Sequence, residues 1–325
     1  MSQKILITGG AGYIGSHVVN ILGKEGYDLT IVDNLSTGRK ESILYGGHVN
    51  LDLADYAALS DLLESGNFDG IMHFAGSIVV PESVDNPLKY YRNNTINSLN
   101  LIELAVKHGV KNFIFSSSAA VYGNPSSGQC SEETETNPIN PYGRTKLMTE
   151  WTLKDVADSS GLNFVALRYF NVAGASLDGK IGQCSEVSTH LIKIACETAL
   201  GKREKMSLYG TDYDTPDGTC IRDYIHVDDL AMAHKDALSY LGKNQESLIL
   251  NCGYGQGYSV KEVIEMVKKV SGVDFKVEVS GRRAGDPPEL TARADKIKEK
   301  LDWTPQHANL ELMVRTALDW EKKLG

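Results

Sequence analysis

The sequence predicts an α/β chain: a doubly wound parallel sheet followed by a smaller mixed α/β lobe. Three observations lead there. The stretch Ile5-Leu6-Ile7-Thr8-Gly9-Gly10-Ala11-Gly12-Tyr13-Ile14-Gly15 passes from an apolar strand through a glycine turn into a helix. A second apolar run ends in an acidic residue, Asp33, about 20 residues on. Strand and helix signals then alternate to about residue 170.

Residues 5–7 read as a buried strand, and Ile14, Val18, Ile21 and Leu22 as one helix face. Between them, Gly9 permits a tight turn, Gly12 lets backbone approach a pyrophosphate, and Gly15 lets helix and strand pack closely. The helix start offers unpaired N–H groups to phosphate. Asp33 closes run 29–32, where it can accept from ribose hydroxyls; alone it reads as a loop carboxylate or helix cap. The polar turn 34–39 lies at the adenosine edge. A short strand ending at 51–53, a helix over 56–63 and a strand over 70–76 follow. A helix over 87–108 puts Tyr91, Thr95, Leu99, Ile102 and Val106 on one face. Strand 112–115 opens into Ser116-Ser117-Ser118, helix 142–159 turns Leu147, Trp151 and Val156 inward, and strand 164–167 comes next. This is a Rossmann-type pattern with right-handed crossovers. Beyond it, glycine, proline and aspartate become frequent at 174–182 and 210–218. Helices are expected at 189–200, 227–241 and 259–270, and strands at 248–252 and 275–279. The expected division is a dinucleotide-binding domain over 1–171 and a substrate lobe over 172–325, interleaved at the boundary. The cleft belongs at the carboxyl ends of the strands.

At 325 residues, with 42% hydrophobic and 23% charged content, the chain can bury a sizeable core. A net charge of −9 argues against nucleic acid or an anionic membrane as partner. No apolar run is long enough for a membrane span. A strand begins at once, so no signal peptide is expected. Cys130, Cys184, Cys196, Cys220 and Cys252 are scattered without a C-x-x-C pair, which predicts reduced cytoplasmic thiols and no metal site.

Tyr142 and Lys146 are one helical turn apart and share a face. An ammonium beside a phenol stabilises the phenolate and is expected to lower its pKa, which makes Tyr142 a candidate base for a sugar hydroxyl. Alone, such a pair is usually a helix surface pair. Here it comes after a strand end carrying Ser116, Ser117 and Ser118, and Ser118 can bridge a substrate hydroxyl and Tyr142.

Thr8-Gly9-Gly10-Ala11-Gly12-Tyr13-Ile14-Gly15, Asp33-Asn34, His73-Phe74-Ala75-Gly76, Ser116-Ser117-Ser118-Ala119-Ala120-Val121-Tyr122-Gly123 and Tyr142-x-x-x-Lys146 resemble the extended short-chain dehydrogenases/reductases. Leu167-Arg168-Tyr169-Phe170-Asn171, Tyr209-Gly210-Thr211-Asp212-Tyr213, Ile221-Arg222-Asp223-Tyr224-Ile225-His226-Val227, Arg282-Arg283-Ala284-Gly285-Asp286 and Leu301-Asp302-Trp303-Thr304-Pro305 narrow this. Over essentially its whole length the chain is similar to the UDP-glucose (UDP-galactose) 4-epimerases.

The resemblance implies a cytoplasmic, NAD-dependent homodimer acting on UDP-sugars. Tyr142 takes the proton of the sugar 4-hydroxyl while hydride passes to NAD, and hydride returns to the other face of a 4-keto sugar. Ser118 orients the hydroxyl; Lys146 tunes Tyr142 and holds the nicotinamide ribose. Implied cofactor contacts are Gly9, Gly12, Tyr13, Ile14, Gly15, Asp33, Asn34, Ser36 and Thr37. Asp52 and Leu53 lie at the adenine, and Phe74, Ala75, Gly76 and Ser116 along the cleft. Asn93 lies near the phosphates, and Tyr169 and Phe170 near the nicotinamide. Asn171, His190, Leu191, Tyr209, Arg222, Arg283 and Asp286 are implied to hold the uridine diphosphate, whose phosphates a guanidinium fork meets well. Alone, Arg222 and Arg283 read as surface ion pairs with Asp223 or Asp286. Leu290 occupies the position that gates sugar size; its other reading is lobe packing.

Two departures stand out. Ile78 replaces a lysine that contacts the cofactor in family members, and Thr189-His190-Leu191 replaces a paired-asparagine segment. A related dehydratase needs Asp-Glu after the strand-end hydroxyl, where this chain has Ala119 and Ala120. A UDP-glucuronate-type 4-epimerase remains an alternative. A catalytically silent NAD-binding regulator is a further one, against which Ser118, Tyr142 and Lys146 speak.

Overall fold

The computed structural model describes residues 2–185, 188–283 and 285–325; Ala284 of the stretch 282–286 lies outside them. The first half runs β1 (Lys4–Thr8), α1 (Tyr13–Lys24), β2 (Asp28–Val32), β3 (Gly47–Val49), α2 (Tyr56–Gly66), β4 (Gly70–His73), α3 (Val80–Asp85) and α4 (Pro87–Tyr90). A π-helical turn (Tyr91–Ile96), α5 (Asn97–Lys107), β5 (Asn112–Ser118), β6 (Gln129–Cys130), α6 (Pro141–Ser160) and β7 (Asn163–Tyr169) continue it. The rest is β8 (Asn171–Ala173), α7 (Leu191–Ala199), β9 (Met206–Tyr209), β10 (Ile221–His226), α8 (Val227–Asn244), β11 (Leu248–Cys252) and β12 (Gly257–Ser259). Then come α9 (Val260–Ser271), β13 (Val277–Ser280), β14 (Glu289–Ala292), α10 (Asp295–Leu301) and α11 (Leu310–Lys323).

Seven parallel strands form the main sheet in the order β11-β7-β5-β4-β1-β2-β3. Helices cover both faces, which is why Ile5, Leu6 and Ile7 form an unbroken apolar run with no exposure. Ile5 and Ile7 pack with Val18 and Leu22 of α1 and Leu230 and Leu238 of α8. Leu6 packs with Leu59 of α2, Leu101 of α5 and Leu153 of α6. Strand order reverses between β1 and β4, which opens a crevice at their carboxyl ends. One of the two edge strands, β11, comes from beyond residue 171, and α8 packs against α1. The second half of the chain therefore returns to complete the first sheet.

The smaller lobe holds the sheet β12-β10-β14-β6, with β8 beside β10, and the pair β13-β9. Ile192 and Ala195 of α7, Val263 and Val267 of α9, and Met313 and Val314 of α11 form its core. Asp223 of β10 pins it together: its carboxylate accepts from the N–H groups of Tyr254 at 3.0 Å, Gly255 at 2.8 Å and Ala292 at 3.1 Å. Burial pushes its carboxyl up to about 6 despite these donors.

Several expected elements differ. The third strand stops at Val49, because Asp52 accepts from its own Ala54 N–H at 2.9 Å and turns the chain. The expected helix 87–108 is interrupted by the π turn, which rotates α5 relative to α4. Ile102 is buried as expected, but Leu99 and Val106 are exposed; Leu101, Leu104 and Ala105 fill the core instead. Trp151 points outward, 57% exposed, where inward packing was expected. Among the described residues no helix is long and apolar enough to cross a membrane. No group of three metal-ligating side chains converges among them either.

Candidate active site

The crevice between β1 and β4 is walled by backbone. Gly9 has φ +71°, and a Cβ there would stand 2.5 Å from the Ala75 N. A Cβ on Gly15 would stand 2.3 Å from the Gly9 carbonyl oxygen. Gly12 caps α1 without a side chain over its first N–H groups, and no acidic residue lies in that first turn. Bare N–H groups at a positive dipole end suit a pyrophosphate. Tyr13 turns away from this opening and donates its hydroxyl to the Gly174 carbonyl at 2.6 Å.

Asp33 is buried at the end of β2, where Oδ2 accepts from Ala11 N–H at 2.9 Å and Oδ1 from Leu35 N–H at 2.8 Å. Asn34 donates to Asp52 at 2.8 Å and accepts from Ser36 N–H at 3.0 Å, so these three form one rim beside exposed Thr37. Leu53 is buried in the core beneath. Phe74 meets the His234 ring of α8 at a tilt, centroids 4.8 Å apart, and Tyr169, also tilted against His234 at 5.7 Å, donates to the Ser116 hydroxyl. Bare N–H groups, a buried carboxylate at the strand end and this aromatic cluster fit a nicotinamide dinucleotide.

Ser118 ends β5, and its hydroxyl accepts from Ala120 N–H at 3.2 Å. Asn140 caps α6 by accepting from Gly143 N–H at 2.8 Å, and Pro141 opens the helix, so Tyr142 falls in its first turn. The Lys146 ammonium lies 5.9 Å from the Tyr142 ring centroid and donates to the Ser116 carbonyl at 2.6 Å. The expected lowering of the Tyr142 pKa is not found. Burial raises it, and the Ser118 hydroxyl only partly offsets this. Burial also pulls Lys146 down, to about 8. The spacing alone cannot reveal this, because desolvation depends on the tertiary cover.

Asn94, which the sequence reading passed over as a site residue, braces this group together with Asn93. Asn94 of the π turn donates to Ser77 O at 2.9 Å and to Thr145 Oγ1 at 3.2 Å, and accepts from Ser77 N–H at 2.7 Å. Asn93 donates to the Ser77 hydroxyl at 3.0 Å. Its place beside Asn93 was the one sequence signal for Asn94. Ile78, one residue on, is exposed.

In the smaller lobe, Tyr209, Arg222, Arg283, Asp286 and Leu290 converge. Arg222 Nη2 is 3.6 Å and Arg283 Nε 3.9 Å from Asp286, and Arg283 stacks over Tyr209 at 4.5 Å. Both arginines thus hold the ion pair with Asp286 that they could also form without a ligand. Leu290 pairs in register with Arg222 and is half buried. Asn171 opens β8 beside Tyr224 of β10. His190 meets Gln183 at 3.1 Å and sits near the Tyr13 ring, and Leu191 begins α7 behind it. Phe170 is buried between the two lobes' strands.

The NAD dependent epimerase/dehydratase family matches over residues 5–253. The chain is 52% identical over 324 residues to a UDP-glucose 4-epimerase of Azospirillum brasilense, covering 99% of this chain and 93% of that one. Among solved structures it is similar to the UDP-Glc/GlcNAc 4-epimerase of Campylobacter jejuni, 52% identical with a TM-score of 0.88 over 99% and 100% of the two chains. It is also similar to a UDP-glucose 4-epimerase of Brucella ovis in complex with NAD, 44% identical with a TM-score of 0.95 over 98% of each.

Proposed function

Because the chain belongs to the NAD dependent epimerase/dehydratase family, we infer that it is an NAD-dependent UDP-glucose 4-epimerase. The observation that carries the reading is Ser118, Tyr142 and Lys146 gathered at the end of β5 beside the glycine turn. NAD, when bound, accepts hydride from C4 of the sugar and returns it. The chain's own residues do the rest. Gly9, Gly12 and Gly15, with Tyr13 and Ile14, keep the helix start open to phosphate; Asp33, Asn34, Ser36, Thr37, Asp52 and Leu53 hold the adenosine end. Phe74, Ala75, Gly76, Asn93, Ser116, Tyr169 and Phe170 line the cleft toward the reacting carbon. Tyr142 Oη removes the 4-hydroxyl proton and gives it back after the 4-keto sugar has turned over. Ser118 Oγ orients that hydroxyl, and Lys146 Nζ holds a ribose hydroxyl. Asn171, His190, Leu191, Tyr209, Arg222, Arg283 and Asp286 anchor the uridine diphosphate, with the guanidinium groups leaving Asp286 for phosphate. In this assignment residues 1–171, joined by α8 and β11, bind the cofactor, and the remainder of 172–325 binds the UDP-sugar. The test is incubation with UDP-galactose, with UDP-glucose formation measured without and then with added NAD; no conversion in either would overturn the reading.

Asp33 is expected to select NAD over NADP, since a 2′-phosphate would face its carboxylate. Equal reconstitution of apo-protein by both cofactors would contradict this.

Leu290 is expected to permit weaker turnover of UDP-N-acetylhexosamines beside the preferred UDP-hexoses. Steric discrimination in such a pocket is worth about 1–3 kcal/mol, a bias rather than a barrier. Leu290→Tyr should abolish the weaker activity and spare the main one. An equal proportional fall in both assigns the residue to packing.

A homodimer and a cytoplasmic location belong to the same proposal. Five free cysteines suit a reducing compartment. Ile96, Leu99, Met148 and Trp151 lie exposed on the packed π turn, α5 and α6, an apolar patch that a second copy would cover. Sedimentation should find a dimer at micromolar concentration and a monomer for Trp151→Glu. A monomeric wild type would exclude the arrangement.

A further inference from the structure

Behind Tyr142 and Lys146 lies a buried charged cluster that the reaction leaves unused. Glu150 comes one turn after Lys146 on the same face of α6 and is 1% exposed. Its carboxylate accepts from Arg168 Nε at 3.0 and 3.2 Å, from Arg168 Nη2 at 2.6 Å and from the Ser117 hydroxyl. Arg168 of β7 also donates to the Tyr122 hydroxyl at 3.0 Å, which donates to Asn251 of β11 at 2.6 Å. One carboxylate thus ties α6 to β5 and, through Arg168, to β7 and β11. Well-packed apolar side chains could often replace a buried ion pair without loss of stability. They could supply neither directional bonds nor a negative charge one turn from Lys146.

We propose that Glu150, clamped by Arg168 and Ser117, is a positioning residue for the epimerase reaction: it fixes the rotation of α6 that presents Tyr142 beside Ser118, and its carboxylate keeps the Lys146 ammonium charged. The proposal rests on the roles given above to Tyr142 and Lys146. The groups around Lys146 support it. Tyr142 and Glu150 lie on its own helix, the Phe115 ring 5.0 Å away and Ser116 on β5, His73 on β4, and Arg168 and Tyr169 on β7, with Tyr122 beyond. Burial pushes the His73 imidazole down to about 3, leaving it neutral, and keeps the phenols of Tyr142, Tyr169 and Tyr122 protonated. Among these groups Glu150 alone carries negative charge, and it opposes the burial that pulls Lys146 downward.

The experiment compares wild type, Glu150→Gln, Arg168→Lys and the double variant Glu150→Gln/Arg168→Gln. Each is characterised by kcat against pH, calorimetric UDP-glucose binding and thermal unfolding. The amide keeps the shape of Glu150 and removes its charge, and the double variant leaves no buried charge unpaired. Both should keep UDP-glucose binding within about twofold, lose at least about tenfold in kcat, and show the end of the pH limb set by Lys146, near 8, moved to lower pH by about one unit. Arg168→Lys keeps Glu150 ionised but loses the fork, so it should lower kcat with the limb unmoved. A double variant with a wild-type limb overturns the proposal, as does a limb that moves in Arg168→Lys. Parallel loss of kcat and UDP-glucose affinity reduces Glu150 to a structural role and overturns it too. A wild type without epimerase activity would instead remove the reading on which the proposal rests.

Discussion

Replacement of Tyr142 by phenylalanine is expected to lower UDP-galactose turnover by at least ~10²-fold, the scale of a positioned acid–base group, with UDP-sugar binding nearly intact. Phenylalanine fills the same space in the first turn of α6, so Asn140 still caps the helix and Lys146 still reaches the Ser116 carbonyl. What disappears is the hydroxyl that the proposed mechanism uses to exchange a proton with the sugar beside Ser118. Burial raises the Tyr142 pKa, so the phenol holds its proton at neutral pH. Wild-type turnover, which needs an ionised Tyr142 beside a charged Lys146, should therefore climb with pH through neutrality and level off as Lys146 gives up its proton near 8. Near-normal turnover in the variant, measured by coupled detection of UDP-glucose, would remove Tyr142 from the mechanism.

Gly9→Ala is expected to empty the cofactor site and destabilise the fold together. The residue has φ +71°, and its new Cβ would lie 2.5 Å from Ala75 N, 2.8 Å from Ala75 Cα and 2.8 Å from Phe74 C. These are backbone atoms, so relief requires β1 and β4 to part at the crevice. Left-handed backbone costs an alanine about 1–2 kcal/mol, and the overpacking about 1–3 kcal/mol more. Calorimetry should show a fall in Tm of several degrees, and NAD in the denatured extract should drop well below the wild-type amount. Gly26→Ala is the control: φ is +83° but nothing lies within 4 Å of the added Cβ. It should cost the backbone strain alone and keep wild-type NAD content. Equal NAD content in both variants would show that the crevice tolerates the methyl group.

The parts legible in the sequence were those encoded by short spacing. The glycine turn, Asp33 at a strand end, and Tyr142 with Lys146 are each set within a few residues, and doubly covered strands announce themselves as apolar runs. What spacing could not carry was tertiary. The partner of Glu150 is 18 residues away and reached only through the strand-helix crossover. The π turn left no mark on a helical period, because its extra residue looks like continuing periodicity. Trp151 read as core because tryptophan is apolar, yet its side of α6 faces outward. β11 read as a strand of the smaller lobe, because local pattern does not name the sheet a strand joins.

That return of β11 matters during synthesis. When β7 leaves the ribosome at Tyr169, its outer edge has no neighbour until Leu248 arrives to begin β11. At a translation rate of 5–20 residues per second the intervening chain takes roughly 4 to 16 s to emerge. For that interval a strand rich in Phe164, Val165, Ala166 and Leu167 offers unpaired N–H and C=O groups to any nascent chain on the same messenger. The closing strand arrives late, and until it does the sheet ends in an open edge at β7.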